Sequence, residues 1–474
     1  DYSIAYGYAE IEFDKPQPAA KFGLGSDDGV KVWVNGKDVH SNHTHRGYQE
    51  DNDKFPVSFK KGKNTILLKV CQGGGGWNFG LKVRIAKTLQ TFTYQVDMTD
   101  DRYVPNRVAL VSSKSLPNGY PLSEDFESGL GDFRSNGGGI LLDTSTSAGG
   151  RASMTLFTRQ LSDSIGASAS ELAFHLGRYP LLAFDYRLPG TVYMNLGLTV
   201  GEKDFRIAFT DEEQDAPLLA ALAPEQKRRW QSAKVNLWKA AARLGLKPEE
   251  LEAKNFRIAD FGYKGNLPGA KCSFDNIRIV PVVRSADGIE LNWVAHDEGG
   301  IAGYSYRWSR KPNTDPGKTI KTAESNRTFN GIGEGTHYFH IRAVDKSGNW
   351  GPPRHYQFTV DNTPPIAGKP QPVDWEGKPA ERLTSTLRIP LQDSDSGIDL
   401  ASLRLLVNGE PFESAETSGS ETRYDPDGGA LIWHWCQGRA RYTGELNGDG
   451  ELAFAVKGIR DYAGNAAPDL QWSW

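Results

Sequence analysis

His40, His43 and His45 stand in a His-x-x-His-x-His spacing, and histidines two apart on an extended segment share one face, as zinc ligands can. Glu50, Asp51 and Asp53 follow, but no cysteine or carboxylate at a standard zinc spacing completes the set. The plainer reading is a loop of solvated imidazoles, or imidazoles that hydrogen-bond a sugar beside Arg46 and Tyr48. Aromatic residues with polar neighbours offer a second chemistry, in which a ring stacks on the apolar face of a pyranose while nearby side chains take its hydroxyls. Trp77 follows four glycines, and Tyr186, Tyr193 and Asn195 lie on alternating segments with His175 and Arg178 close in sequence. Core packing competes for every such ring: Trp33 between Val32 and Val34, and the pair Trp293 and Trp308, read as interior residues. No Gly-x-Ser-x-Gly elbow, phosphate loop, His-Glu-x-x-His or dinucleotide fingerprint occurs. The paired carboxylates of a glycosidase would leave no comparable trace.

The elements that must position these residues are strands. Asp345-Lys-Ser-Gly-Asn349 and Asp461-Tyr-Ala-Gly-Asn465 are matching turns, each after an alternating segment. Aspartate caps such a turn by accepting backbone N–H groups, and Gly-Asn supplies left-handed residues. Meeting this device twice predicts related β-sandwiches in tandem. With 474 residues, 52 Gly, 26 Pro, 12 Trp and 18 Tyr, the chain is too long for one core and has the composition of many short strands. A formal net charge of −4 supplies no field for nucleic acid or an anionic membrane, and no apolar run is long enough to span a bilayer. Cys71, Cys272 and Cys436 are far apart and odd in number, which predicts inert thiols rather than a disulfide framework. The chain starts at Asp1 without a basic and apolar leader, as a processed or trimmed chain does.

The reading is all-β, with four β-sandwiches in tandem over 1–88, 117–283, 284–362 and 366–474. In the first, Asn35-Gly36 between alternating strands is a strong hairpin signal. Gly25-Ser-Asp-Asp-Gly-Val-Lys-Val-Trp-Val-Asn-Gly36 resembles galactose-binding-like sandwich domains of bacterial glycan-degrading proteins and, more distantly, the lectin domain of yeast flocculins. Such domains have more strands ahead of this point, so the resemblance implies a missing edge, supplied by an earlier segment or by a strand-donating neighbour. After a linker-like stretch at 87–115, with a strand expected at 91–96, the second module opens with Asp-Phe-Glu-x-Gly and closes with Phe274-Asp-Asn-Ile-Arg-Ile279. These motifs resemble jelly-roll carbohydrate-binding modules, whose first and last strands lie side by side. Helix is expected over 216–246, with a further helical turn at Pro248-Glu-Glu. The third module resembles a fibronectin type III domain, and Asp361-Asn-Thr-Pro-Pro365 reads as a stiff extended linker. The fourth resembles bacterial immunoglobulin-like domains.

These resemblances carry ligand expectations. Neighbouring aspartates in the flocculin turn hold calcium, which implies an ion at Asp27 and Asp28, although adjacent strand residues normally face opposite ways. The jelly-roll resemblance brings Glu124, Asp125, Glu127 and Asp275 together and implies a structural calcium there. Asn447-Gly-Asp-Gly-Glu451 imitates half of an EF-hand loop but reads as a hairpin turn, and Asp393-Ser-Asp-Ser-Gly-Ile-Asp399 reads as a loop that could touch an ion between modules. The expected function is a secreted or cell-surface, non-catalytic polysaccharide binder, or an accessory region of a polysaccharide-acting enzyme. One alternative is a surface filament subunit assembled by strand addition. Another is a jelly-roll glycoside hydrolase or polysaccharide lyase using His175, Arg178 and Tyr186.

Overall fold

The structure is a computed structural model that describes residues 3–72, 79–85, 105–159, 164–210, 216–224, 228–260, 266–297, 299–374, 377–412, 422–435 and 451–474. Trp77, Cys436, the expected strand at 91–96 and the turn at Asn447 lie outside them. The chain divides into two compact units, Asp1–Asp101 and Arg102–Trp474. Strands dominate both, as expected of an all-β chain, and no helix among the described residues is long and apolar enough to cross a membrane.

The first unit is a sandwich of two antiparallel sheets. One contains Ser3–Phe13, Gly62–Gln72, Val30–Val34 and Lys37–Asn42; the other contains Asp53–Phe59, Gln17–Ser26 and Phe79–Arg84. Asn35 and Gly36 both take positive φ, 51° and 76°, the pair of left-handed residues a two-residue hairpin requires. Buried Asn64 fixes this turn by accepting from the Asn35 amide (2.8 Å) and from Lys60 N (2.9 Å). Val30, Val32 and Val34 point inward, so Trp33 falls on the outer face beneath the Lys31 ammonium instead of in the core.

The second unit holds three sandwiches around one continuous apolar core. In the second sandwich, Leu122–Glu124 pairs antiparallel with Lys271–Val280, Leu122 opposite Ile279, so the first and last strands are neighbours as expected. The helix predicted over 216–246 is short: among its described residues Leu218–Ala221 and Gln231–Asn236 are strands, one in each sheet, and only Leu237–Arg243 is α-helical. Asn236 starts that helix by accepting from Lys239 N (2.7 Å), and sheet pairing with Leu181–Arg187 overrides the Ala- and Lys-rich composition before it. The turn at Pro248–Glu250 is a 3₁₀ helix, in agreement with the sequence.

The third sandwich is not continuous in sequence. Its smaller sheet is Asn326–Phe329, Ile289–Val294 and Ala109–Val111, and the last of these comes from the stretch read as linker. The chain therefore enters the third sandwich, leaves to build the second, and returns. Tyr356 clamps the early strand: its hydroxyl donates to Val108 O (2.7 Å) and accepts from Leu110 N (3.3 Å). Val108 is fully buried there.

The fourth sandwich docks on the helix Leu237–Arg243. Trp238 packs on Tyr424 and Tyr462, with ring centroids 5.7 and 6.3 Å apart, and Arg243 forms a two-pronged ion pair with Asp427 at 2.7 Å. Asp361–Pro365 is correspondingly no free spacer. Asp361 N donates to Val283 O (2.9 Å), and Asn465 donates to Asp361 O (3.0 Å), so both neighbouring sandwiches hold the connection.

The two matching turns are alike locally. Asn349 N and side-chain amide both reach Asp345 at 2.8 Å, and Asn465 does the same to Asp461. Their acidities nonetheless diverge. The bonds from Asn349 outweigh burial and lower the Asp345 carboxyl, whereas burial and the facing Asp393 raise that of Asp461.

Replacing Tyr356 with Phe removes the clamp on Val108 and Leu110. The expected cost is about 1–3 kcal/mol, since a buried donor and acceptor each lose their partner. Thermal unfolding of the full chain should show a lower Tm with native circular dichroism at low temperature; an unchanged Tm would show that this strand contributes nothing.

Candidate functional site

The candidate site is a cleft of about 270 Å³ where the second sandwich meets the third. One wall is the outer face of the sheet formed by Leu181–Arg187, Gln231–Asn236 and Lys271–Val280. Phe184 points into the core, which turns Asp185 outward, and the same alternation presents Asn276 and Arg278 beside it. The other wall is Tyr338 and Gln357 from the third sandwich, with Asn313 at the rim.

The polar groups hold one another in place. Asp185 accepts from the Ser232 hydroxyl and from the Asn276 amide (2.8 Å). Arg278 donates to Asn276 Oδ1 (2.9 Å) and Gln357 Oε1 (3.1 Å), and its guanidinium lies 5.9 Å from the Tyr338 ring centroid. Asn276 has φ +51°, a left-handed conformation that Asn tolerates better than most residues. The result is a preset array of acceptors and donors with one ring face, open to solvent and lined by exposed Lys234.

Asp275, the cross-strand partner of Asp185, lies beneath the cleft. Its oxygens accept from Ala148 N (2.8 Å), Gly149 N (3.2 Å) and Asn276 N (2.7 Å). Burial pushes this carboxyl up to about 7 against those bonds. Asp275 thus supports the loop at the cleft's edge and does not face a ligand.

The residues singled out from sequence are dispersed. Tyr186 is a core residue packed edge-on against Phe209 (5.1 Å), and fully buried Asn195 accepts from Phe209 N, so neither is on a binding face. The alternation was read in the wrong phase, because position 185 rather than 186 faces out. Half-buried Tyr193 is tied through its backbone to Asn266. His175 packs on Tyr462 (5.4 Å) and Arg178 is exposed, so His175, Arg178 and Tyr186 form no acid–base trio at a surface. Arg46 is a structural clamp that pairs with Asp53 (2.6 Å) and donates to Ser26. Tyr48 is exposed, and its ring lies over Gly25 and Gly80.

The expected metal ligands are engaged by the protein itself. Asp28 accepts from Arg46 N (3.0 Å) and meets His45, while Asp27 is buried beside it. His40 stacks on Phe55 and faces Asp53, whereas His45 meets Asp28, so these two histidines point at different partners. In the second sandwich, Glu127 accepts from Arg151 N (2.6 Å) and Ala152 N (3.0 Å). Asp125 pairs with Arg107, whose guanidinium outweighs burial and lowers that carboxyl. Buried Glu124 pairs with Arg354 at 3.1 Å. Positive charge reaches these two carboxylates from Arg354 of the third sandwich and from Arg107, just ahead of its early strand.

Sequence reading missed Asp185, Asn276, Arg278 and Tyr338, although Asp275-Asn276 inside an alternating strand was a visible irregularity. It also missed Ser3–Phe13, where Tyr6 and Tyr8 are about 60% exposed (61% and 63%) on the same face of the first unit. The i, i+2 spacing of these rings was the available signal.

No family model matches the chain, and no curated protein matches it. Among solved structures it is similar to the fibronectin(III)-like modules of CbhA from Clostridium thermocellum, at 14% identity over 41% of this chain and 87% of that one, with a TM-score of 0.22. It is similar to a β-1,2-glucanase from Parabacteroides distasonis at 13% identity over 48% of this chain and 36% of that one, with a TM-score of 0.20. The D00-D0 domain of intimin gives 8% identity, 41% and 93% coverage and a TM-score of 0.19. Likeness at this level transfers no ligand or activity to this chain.

Beside the cleft, His340 and His355 approach Nδ1 to Nδ1 at 2.7 Å, and Ser309 bonds His340 Nε2 (2.8 Å). Burial lowers both imidazoles to about 4; His355 and Arg307 depress His340 further, and Arg107, Arg278 and Arg342 act on His355 against the opposing pull of Asp125. Folded pKa values below the unfolded value of about 6.5 mean that stability is present above that pH and is lost as pH falls towards 4. Tm should fall across this window, and a His355→Asn variant should show a shallower fall. Equal slopes in calorimetry would remove the pair as the cause.

Proposed function

We propose that this chain is a non-catalytic carbohydrate-binding protein of the secreted or cell-surface class, or the accessory region of a polysaccharide-acting enzyme, and that the cleft between the second and third sandwiches takes a sugar. The observation that carries this reading is the interlocked set Asp185, Asn276, Arg278 and Gln357 facing the Tyr338 ring. A sugar hydroxyl both donates and accepts, so it fits beside carboxylate, amide and guanidinium groups that are already held in position. A ring on one side supplies the apolar contact a pyranose face prefers. The volume of about 270 Å³ suits one or two sugar units rather than a long enclosed chain. A shallow polar site of this kind exchanges good water hydrogen bonds for equivalent ones, so affinity should be modest, in the micromolar to millimolar range.

Affinity electrophoresis and calorimetry of the full chain against neutral and mildly charged polysaccharides test the proposal. Asn276→Gly keeps the left-handed backbone and removes the amide, and Tyr338→Ala removes the ring. Each should weaken binding roughly tenfold or more, about 1.4 kcal/mol, with Tm nearly unchanged. Binding that persists undiminished in both variants places the glycan elsewhere, and failure of the wild-type chain to bind any saccharide rejects the reading. Reducing-sugar release from a bound polysaccharide would instead favour an enzyme.

A further inference from the structure

Asp361, Asp393 and Asp461 converge at the seam between the third and fourth sandwiches, one carboxylate oxygen from each lying within 4.8 Å of the others. They come from three separate places: the end of strand Arg354–Val360, the loop after Thr386–Gln392, and the second matching turn. Glu334 and Asp395 bring further oxygens within the same distance of Asp361.

Two observations set this cluster apart from the other acidic groups. Among the described residues, no lysine or arginine forms an ion pair with any of the five, whereas Glu124 and Asp125 have Arg354 and Arg107. Asp361 is fully buried, and although its Oδ1 accepts from Thr363 N (3.0 Å), its Oδ2 has no hydrogen-bond donor. The Ser396 hydroxyl lies between the two carboxylates: it donates to Asp393 Oδ1 (3.2 Å) and is close enough to Asp361 to favour its charged form. A buried carboxylate beside two others is costly unless a proton or a cation neutralises it.

The other two carboxylates are held rigidly by backbone. Asp393 Oδ1 accepts from Ser396 N (2.8 Å) and Gly397 N (2.6 Å). Asp461 Oδ1 accepts from Gly464 N (2.7 Å) and Asn465 N (2.8 Å). These bonds fix both carboxylates where an oxygen of each lies within 4.8 Å of one from Asp361. The donor set is oxygen alone, with no histidine or cysteine, which suits a hard cation that accepts six to eight oxygens and completes its shell with water.

We propose that Asp361, Asp393 and Asp461, with Glu334 and Asp395 at the rim, bind a calcium-type divalent cation that fastens the third sandwich to the fourth. The proposal is independent of the glycan reading. It takes up the sequence expectation that the loop Asp393–Asp399 could touch an ion between modules, and places the ion where no lysine or arginine among the described residues pairs with the carboxylates. The cation joins the two sandwiches because Asp361 lies at the end of one and Asp393 and Asp461 belong to the other.

The test uses the full chain, stripped with a chelator and titrated with CaCl₂. Calorimetry should show one site with a dissociation constant of roughly 0.1–1 mM, the range of extracellular modules, and Tm should rise by several degrees at saturation. Tb³⁺ should give luminescence on excitation in the tryptophan band, since Trp238 packs against Gly397 of the Asp393 loop. Asp361→Asn preserves shape while removing the unpartnered charge. Its Tm without calcium should equal or exceed that of the wild type, and both the calcium response and the Tb³⁺ signal should vanish. Asp345→Asn, in the other matching turn, should leave both responses in place. No heat and no Tm shift in the wild type up to about 10 mM calcium would overturn the proposal. So would a calcium response that survives in Asp361→Asn.

Discussion

The order in which the chain visits its sandwiches constrains the second unit more than any single contact. Ala109–Val111 belongs to the third sandwich, yet the strands that follow build the second. The Tyr356 hydroxyl closes this path by bonding Val108 and Leu110. A sandwich inserted between an edge strand and the rest of its neighbour is attached at both ends, so the two cannot swing apart as beads on a string would. That fixed apposition places Tyr338 and Gln357 opposite Asp185 and Arg278, and the cleft follows from it.

Charge distribution at the seams follows the same logic. Where the second sandwich meets the third, buried Glu124 and half-buried Asp125 are matched by Arg354 and Arg107, and Tyr120 adds a hydrogen bond to Gln357 O (2.7 Å). Where the fourth meets the second, Arg243 pairs with Asp427, and Trp238 lies so close to Gly397 that a Cβ there would approach its ring to 2.6 Å. Gly397 also has φ +78°, so both space and backbone require glycine. Only the seam around Asp361 gathers negative charge with no arginine or lysine to meet it among the described residues.

Much of the architecture was legible in the sequence because strand signals are local. Alternation at Val30–Val34, the Asn35-Gly36 turn and the two Asp-x-x-Gly-Asn turns depend on side-chain period and backbone preference within a few residues. The pairing of Leu122–Glu124 with Lys271–Val280 followed from resemblance of the opening and closing motifs. The turn at Pro248–Glu250 followed from proline at a helix start. Composition without periodicity misled at 216–246, where pairing with Leu181–Arg187 turned an Ala- and Lys-rich stretch into strand.

The sequence alone therefore determined fold class and turn chemistry, which arise from interactions between near neighbours. Tertiary structure decided which face each strand shows, which arginine meets which carboxylate, and that a linker-like stretch completes a sandwich nearly two hundred residues later. A one-residue change of phase exchanges Asp185 for Tyr186 at the surface, and nothing local distinguishes the two. The convergence of Asp361, Asp393 and Asp461 from positions a hundred residues apart is likewise invisible along the chain, because only packing of the third sandwich against the fourth brings their oxygens together.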